Sequence, residues 1–347
     1  MRAITAAAHP NLALVKYWGQ RDATLNLPVN PSISVNLSGG TTTTTVTFDA
    51  TLKSDRVALN GAPADTRACA RVTAHLDRVR ALAGIATRAD VRSRNDFPAS
   101  AGVASSASAF AALSLAATRA AGLDLDMRAL SILARKGSGS ACRSIPDGFV
   151  EWIAGDNDAG SYARSLVPCG YWDLRIISVT FGDHAKEVSS LEGHHAAPSS
   201  PFYAARLAQT NETLDTVRRA LLARDFPLLG MTAEREALSL HAIAMTSRVQ
   251  DRPWLSGIYY WKSETLRLIH TIQTWRQEGL AVYFTLDAGP SVHLICEAKD
   301  QADLESALAP AIAPLNGSAI ISEPGRGAWI VDKRACASTP ADTSCIR

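Results

Sequence analysis

The spacing of apolar and polar positions changes character several times along the chain. Residues 41–48 (TTTTTVTF) are β-branched and end on an aromatic, which predicts a strand with one polar face. Gly39-Gly40 just before it reads as a turn. Within residues 96–122, a Pro/Gly/Ser loop gives way to an Ala-rich run where Phe110, Leu113 and Ala117 recur at helical spacing. Residues 128–136 predict another helix, ending before Gly137, and residues 174–181 alternate as a strand. Helical patterns follow over 200–224, 226–247 and 264–278. Residues 281–286 then read as a strand, with 291–296 as its hairpin partner. Strands early, helices in both halves and strands again late predict an α+β protein rather than a doubly wound sheet. A lobe boundary is expected near residue 182, giving lobes over 1–182 and 183–332. The tail 333–347 is small and polar and is expected to fray.

Composition narrows the function classes. A chain of 347 residues suffices for one large domain or two lobes sharing a cleft. Lysine plus arginine (35) nearly balances aspartate plus glutamate (33), without the basic excess of a nucleic-acid or membrane-surface binder. Near-neutral net charge still leaves room for a local cationic pocket. No apolar run reaches transmembrane length, and the first residues lack a signal-peptide core, so a cytoplasmic protein is expected. Cys69, Cys142, Cys169, Cys296, Cys336 and Cys345 form no Cys-x-x-Cys pair and suggest no metal framework; reduced thiols are expected.

Four stretches carry candidate chemistry. In Phe97-Pro98-Ala99-Ser100-Ala101-Gly102-Val103-Ala104-Ser105-Ser106-Ala107-Ser108, small residues permit close approach of an anion, and Ser105 and Ser106 fall where a helix begins. Free N–H groups there favour phosphate, although an ordinary N-capped helix fits the residues equally well. Gly137-Ser138-Gly139-Ser140-Ala141-Cys142-Arg143-Ser144 gathers hydroxyls around a guanidinium suited to carboxylate or phosphate; an exposed Gly-rich turn is the plain alternative. Asp287-Ala288-Gly289-Pro290 follows an apolar strand, so Asp287 either projects into a cleft or caps an Asx-turn. In Asn11-Leu12-Ala13-Leu14-Val15-Lys16-Tyr17-Trp18-Gly19, the lysine is bracketed by apolar and aromatic residues, and lysine is rarely buried without a partner. A solvated lysine at a strand end is the alternative.

In order and spacing, these four stretches together resemble the diphosphomevalonate decarboxylase family of the GHMP kinase superfamily, over residues 4 to about 332. The resemblance implies a two-lobed fold with a ribosomal protein S5 domain 2-like N-terminal lobe and a central active-site cleft. It implies ATP and Mg2+, with phosphorylation of the 3-hydroxyl of a mevalonate derivative, then loss of phosphate and carbon dioxide. Homodimers, frequent in the family, are also expected. Asp287 matches the catalytic aspartate, Lys16 its paired lysine and Arg143 the arginine on the substrate carboxylate. Asn11, Tyr17, Ser138 and Ser140 match substrate-binding positions, and Ser190 and His194 lie in the later substrate loop. Gly102, Ser105 and Ser106 match the phosphate loop, with Ser106 a candidate metal ligand, and Ser93 and Asn95 border the nucleotide.

Two departures bear on the substrate. The family's lysine after Tyr-Trp-Gly is Gln20 here, and its Ser-Ser-Arg becomes Ser189-Ser190-Leu191, followed by Glu192. In the bacterial enzymes those two cationic positions lie near the substrate's diphosphate. Their absence favours 5-phosphomevalonate as substrate, with 5-diphosphomevalonate as the alternative if Arg21, Lys186 or His194 replaces the lost charge. A mevalonate 3-kinase, a non-catalytic binding protein and an ordinary GHMP kinase are rival readings. The retained Asp287, Lys16 and Arg143, and the Gly-Ser-Gly-Ser-Ala-Cys-Arg motif, weigh against them.

Overall fold

The threonine run folds as its alternation requires. Thr42, Thr44, Val46 and Phe48 point inwards while the residues between them face outwards. The buried hydroxyls are satisfied: Thr42 Oγ1 donates to Asn95 Oδ1 at 2.8 Å and lies 2.6 Å from Ser108 Oγ, and Thr44 Oγ1 is 2.9 Å from Ser93 Oγ. The computed structural model describes residues 3–97, 105–182 and 187–331. The phosphate-loop position Gly102, Lys186 and the predicted tail 333–347 lie outside them.

Among the described residues the first sheet runs β16 (Trp329–Ile330), β1 (Ile4–Ala8), β6 (Thr42–Phe48), β9 (Ala89–Asn95), β7 (Arg56–Leu59) and β8 (Ala62–Pro63). A second runs β11 (Tyr162–Val167), β10 (Phe149–Ile153), β5 (Ser32–Asn36) and β2 (Asn11–Val15). A third runs β13 (Tyr283–Thr285), β14 (Val292–Glu297), β12 (Leu174–Phe181) and β15 (Gly317–Ser322), and β3 (Gln20–Asp22) pairs with β4 (Leu27–Pro28). Helices α1 (Thr66–Ala83), α2 (Ser105–Ala120) and α3 (Met127–Gly137) belong to the first half of the chain. Helices α4 (Ser190–Ala196), α5 (Tyr203–Ala223), α6 (Phe226–Thr246), α7 (Ser263–Gln277) and α8 (Gln301–Ile312) belong to the second.

The Ala-rich α2 is buried along most of its length, because small side chains let it pack between the first sheet and α1 and α3. One core gathers Val46, Phe48, Leu76, Phe110 and Leu133 around it; another gathers Val179, Phe284, Leu286, Leu294 and Leu304 in the second half. A third crosses between the halves, joining Leu12, Val35 and Phe149 to Leu174, Leu214 and Tyr283. The predicted helices and strands fall within a few residues of α2, α3, α5, α6, α7, β6, β12, β13 and β14. The expected boundary at 182 falls after β12, whose partners β14 and β15 put it in the sheet of the second half, and β16 returns to pair with β1. No helix of the described residues is long and apolar enough to cross a membrane.

Candidate active site

Strand β2 is buried at every position, and the chain leaves it at Lys16, which is only 1% exposed. A lysine so deep needs compensation. Its ammonium donates to Asp287 Oδ1 at 2.8 Å and to the Ala13 carbonyl at 2.6 Å. Asp287 arrives from β13, 271 residues later, at a turn in which the Gly289 N–H donates to the Asp287 carbonyl at 2.7 Å. That bond uses the main chain, so the carboxylate is free of an Asx-turn and stands on Lys16, with its side chain 29% exposed. Both halves of the chain thus contribute to one ion pair, its lysine buried and its carboxylate partly exposed.

Arg143 completes the group. Helix α3 stops at Gly137, whose Cβ position is taken by the Phe110 ring and His75, and the chain tightens into a 3-10 turn over Gly139–Ser144. The guanidinium is buried, donating from Nε to Asn11 Oδ1 at 3.1 Å and from Nη1 to Ser32 Oγ at 2.7 Å. It lies 5.8 Å from the centroid of Trp152. Among the described residues no carboxylate forms an ion pair with it, although its charge reaches Asp287. A buried cation without a counter-ion sits poorly unless an anion arrives. Asn11 spends its amide on the same turn, donating to the Ser140 carbonyl at 3.1 Å and Ser144 Oγ at 2.8 Å. Asn11 therefore braces the Arg143 turn from β2.

The electrostatics follow from this geometry. Burial raises the Asp287 carboxyl's affinity for a proton, but the Lys16 ammonium, helped by His293 and Arg143, outweighs it and holds the group below the usual carboxylate range. Burial pulls Lys16 down, against the opposing pull of Asp287 and Glu236. Burial also lowers Arg143 and raises the Tyr17 phenol. The Tyr17 hydroxyl has no hydrogen-bond partner among the described residues, and its ring packs on Trp152 and His194.

His194 lies between Tyr17 and Trp18, with ring centroids 4.2 and 4.6 Å away. The Gly19 N–H donates to its Nδ1 at 2.9 Å, which puts the ring proton on Nε2. Burial, with His195 and Arg143 nearby, pushes its pKa down to about 3, so it is a neutral donor rather than a cation. Gly19 makes this possible: its φ is +103° and a Cβ there would lie 1.8 Å from the Tyr203 hydroxyl. The other candidate for the missing charge, Arg21, donates to the Gly155 carbonyl at 2.6 Å.

The remaining predicted residues fall in three places. Ser106 Oγ lies 3.3 Å from Ser138 Oγ, so the start of α2 meets the Arg143 loop, with Ser105 beside it and Ser140 half-buried in the 3-10 turn. Ser190 is the first residue of α4, capped by Ser189. Ser93 and Asn95 lie on β9 with their side-chain oxygens engaged by Thr44 and Thr42. Among the described residues no cluster of three His, Cys, Asp or Glu side chains is poised for a metal. The sequence reading missed Arg71 on α1, which donates to the Gly137 carbonyl at 3.3 Å and lies over Phe110, bringing positive charge to the loop. It also missed Glu192 as a capping-box residue: its carboxylate accepts from the Ser189 N–H at 2.8 Å and pairs with Arg252 at 2.9 Å. The negative charge there is already spoken for.

Known proteins resemble this chain in both halves. The diphosphomevalonate decarboxylase-like N-terminal domain matches residues 8–163, and the mevalonate 5-diphosphate decarboxylase C-terminal domain matches residues 176–328. The phosphomevalonate decarboxylase of Haloferax volcanii is 36% identical, over 84% of this chain and 87% of its own. The diphosphomevalonate decarboxylase of Candida albicans is 33% identical, over 87% of this chain and 86% of its own. MDDEF, solved in complex with MVAPP, AMPPCP and magnesium, superposes with a TM-score of 0.88 at 35% identity, covering 95% of this chain and 99% of that one. With both halves of the chain matched, the chain belongs to the diphosphomevalonate decarboxylase family, the ATP-dependent decarboxylases of phosphorylated mevalonate.

Proposed function

We propose that this enzyme decarboxylates 5-phosphomevalonate, consuming ATP and yielding isopentenyl phosphate, ADP, inorganic phosphate and carbon dioxide. The observation that carries the reaction is Arg143, buried without a counter-ion beside the Lys16–Asp287 pair. The substrate's carboxylate supplies the missing anion, and a guanidinium grips it through parallel hydrogen bonds. The tertiary 3-hydroxyl then faces Asp287. Asp287 is ionised at neutral pH and weakly basic, so it accepts the hydroxyl proton late, as the oxygen bonds to the γ-phosphorus and becomes acidic. Lys16 holds that carboxylate in place. When the 3-phosphate leaves, the C–O pair departs with it and positive charge grows on the tertiary carbon. The bond to the carboxylate breaks, its electrons form the double bond, and Arg143 keeps the departing group aligned.

Magnesium, when bound, neutralises phosphate oxygens and orients the transferred group. The hydroxyls of Ser106 and Ser138, oxygen ligands of the kind magnesium takes, would hold it without a carboxylate cage.

The choice of monophosphate rests on Gln20 and Leu191. Gln20 is neutral and occupied: its amide donates to Asn26 Oδ1 at 3.0 Å and its carbonyl oxygen lies 3.2 Å from His195 Nε2. Leu191 is an exposed apolar side chain on α4. Neither offers a terminal phosphate a cation, and the half-buried, neutral His194 does not replace one. The diphosphate reading keeps support from Arg71 beside Gly137. Measuring kcat/KM for the mono- and diphosphate substrates side by side, with carbon dioxide and ADP both quantified, tests the proposal. Preference for the diphosphate overturns the substrate choice, and ADP without carbon dioxide overturns the decarboxylation.

A further inference from the structure

We infer that Arg206 on α5 and Glu236 on α6 are positioning residues for the reaction: they clamp the main chain of Lys16 from the second half of the chain and so set its ammonium against Asp287. The inference rests on the reading of Lys16 and Asp287 as the chemical centre.

Lys16 is the first residue beyond β2, where the ladder ends and its buried N–H and C=O lose their strand partners. Both are taken up by side chains from elsewhere. The Lys16 N–H donates to Glu236 Oε2 at 3.0 Å, and its carbonyl accepts from Arg206 Nη2 at 3.1 Å and from Asn30 Nδ2 at 2.9 Å. Arg206 Nη2 also donates to Glu236 Oε2 at 3.0 Å, which closes a ring of hydrogen bonds around one peptide segment. Tyr203, one turn earlier on α5, donates its hydroxyl to the Trp18 carbonyl at 3.2 Å. The exit of β2 is therefore moored to α5 and α6, and Asp287 comes from β13, which packs on α6.

The chemistry is more than the peptide needs. Neutral amides satisfy an N–H and a C=O without burying two charges, and buried ion pairs are poor stabilisers beside apolar packing. Arg206 makes this worse, since its Nε and Nη1 are buried with no hydrogen-bond partner among the described residues. What the charges add is electrical. The Glu236 carboxylate lies close enough to favour the protonated form of Lys16 against its burial. Of the other groups around that ammonium, Asp287 favours its charge and Arg143 opposes it, Arg206 stays cationic in both wild type and Glu236→Gln, and His241 on α6 is held neutral, its pKa pushed down to about 3 by burial. Removing Glu236's charge leaves Asp287 alone on the favourable side, so Lys16 gives up its proton at lower pH.

Glu236→Gln tests this directly, because glutamine retains an oxygen for the Lys16 N–H and loses only the charge. The expected result is a fall in kcat of about tenfold or more, with KM for the phosphorylated mevalonate within about threefold, and a basic limb of the kcat–pH profile displaced to lower pH by about one unit. A merely structural role lowers the melting temperature and leaves that limb where it was. If Glu236→Gln does not fold, the double variant Arg206→Gln, Glu236→Gln keeps polar partners for the Lys16 peptide groups without charges and is read by kcat, since the loss of one positive and one negative charge offsets at Lys16. Asp287→Asn runs alongside on the substrate the wild type prefers. Turnover surviving in Asp287→Asn overturns the chemical centre and this inference with it. An inactive Asp287→Asn beside a folded clamp variant with wild-type kcat and an unmoved basic limb overturns the clamp alone.

Discussion

Replacing Arg143 with lysine is the sharpest test of how substrate is held. Lysine keeps one positive charge and loses the planar fork. The guanidinium now serves two buried acceptors, Asn11 Oδ1 at 3.1 Å and Ser32 Oγ at 2.7 Å, and a lysine ammonium on a shorter arm reaches at most one of them in its place. Leaving a buried acceptor without its donor costs about 1–3 kcal/mol. That cost falls on the fold; loss of the two-point grip on the substrate carboxylate removes about 1–3 kcal/mol of transition-state binding, or about 5- to 140-fold in kcat/KM. The effect belongs to the mevalonate side, because the nucleotide is assigned to the start of α2. The assay follows ADP formation with a coupled reaction and traps carbon dioxide from carboxyl-labelled substrate, with ATP affinity measured separately and a melting curve confirming the fold. A rise in KM for ATP with an unchanged KM for the phosphorylated mevalonate would refute the assignment of Arg143. So would a kcat/KM within about threefold of wild type.

Three further changes probe the neighbourhood. Lys16→Met leaves Asp287 with its burial and without its nearest cation, so its folded pKa rises and the acid limb of the kcat–pH profile should move to higher pH; an unmoved limb separates Lys16 from the ionisation of Asp287. Gln20→Lys with Leu191→Arg should shift the kcat/KM ratio towards the diphosphate by about tenfold, since one charge-assisted hydrogen bond is worth about 1.5–3 kcal/mol, reduced by Glu192 if it turns from Arg252 to the new arginine. A ratio that stays put removes these positions from specificity. Gly193→Ala puts a Cβ 2.6 Å from both the Trp18 ring and the Tyr260 hydroxyl, and should destabilise the fold by about 1–3 kcal/mol in denaturant titration, with α4 pushed off the aromatic pair. Wild-type stability would mean that α4 shifts freely.

Much of this molecule is legible in its sequence wherever the signal is local. Residues 174–181 alternate and form β12, and the Ala-rich run becomes α2 because small side chains on every face suit a helix buried on every face. Three helices escaped despite local signals. α1 has Asp65 as N-cap, Val72, Leu76 and Val79 at helical spacing and Gly84 in the left-handed region at its end. α8 repeats Leu304, Leu308 and Ile312 every four residues. Ser189-Ser190-Leu191-Glu192 is likewise a Ser-x-x-Glu capping box, yet read as a substrate loop its glutamate looked like a charge aimed at the substrate.

The harder losses are the contacts that join distant segments. The Lys16–Asp287 pair spans 271 residues, and only the combination of four motifs, not the physics of any one, put those two side chains together. The clamp on Lys16 is a case where a residue-level signal existed all the same. On α6 the buried face runs through Leu229, Ala233, Glu236 and Leu240, and on α5 through Tyr203, Arg206, Thr210 and Leu214. Each helix carries one charged residue on its inward stripe. A lone charge in that place is costly unless it is paired, so the pattern alone demands that something answer it. Periodicity gives the face a side chain points to and is silent on what stands opposite. Two unexplained charges on the inward faces of consecutive helices answer each other first, and the same carboxylate oxygen and guanidinium nitrogen that pair them also take up the backbone of Lys16.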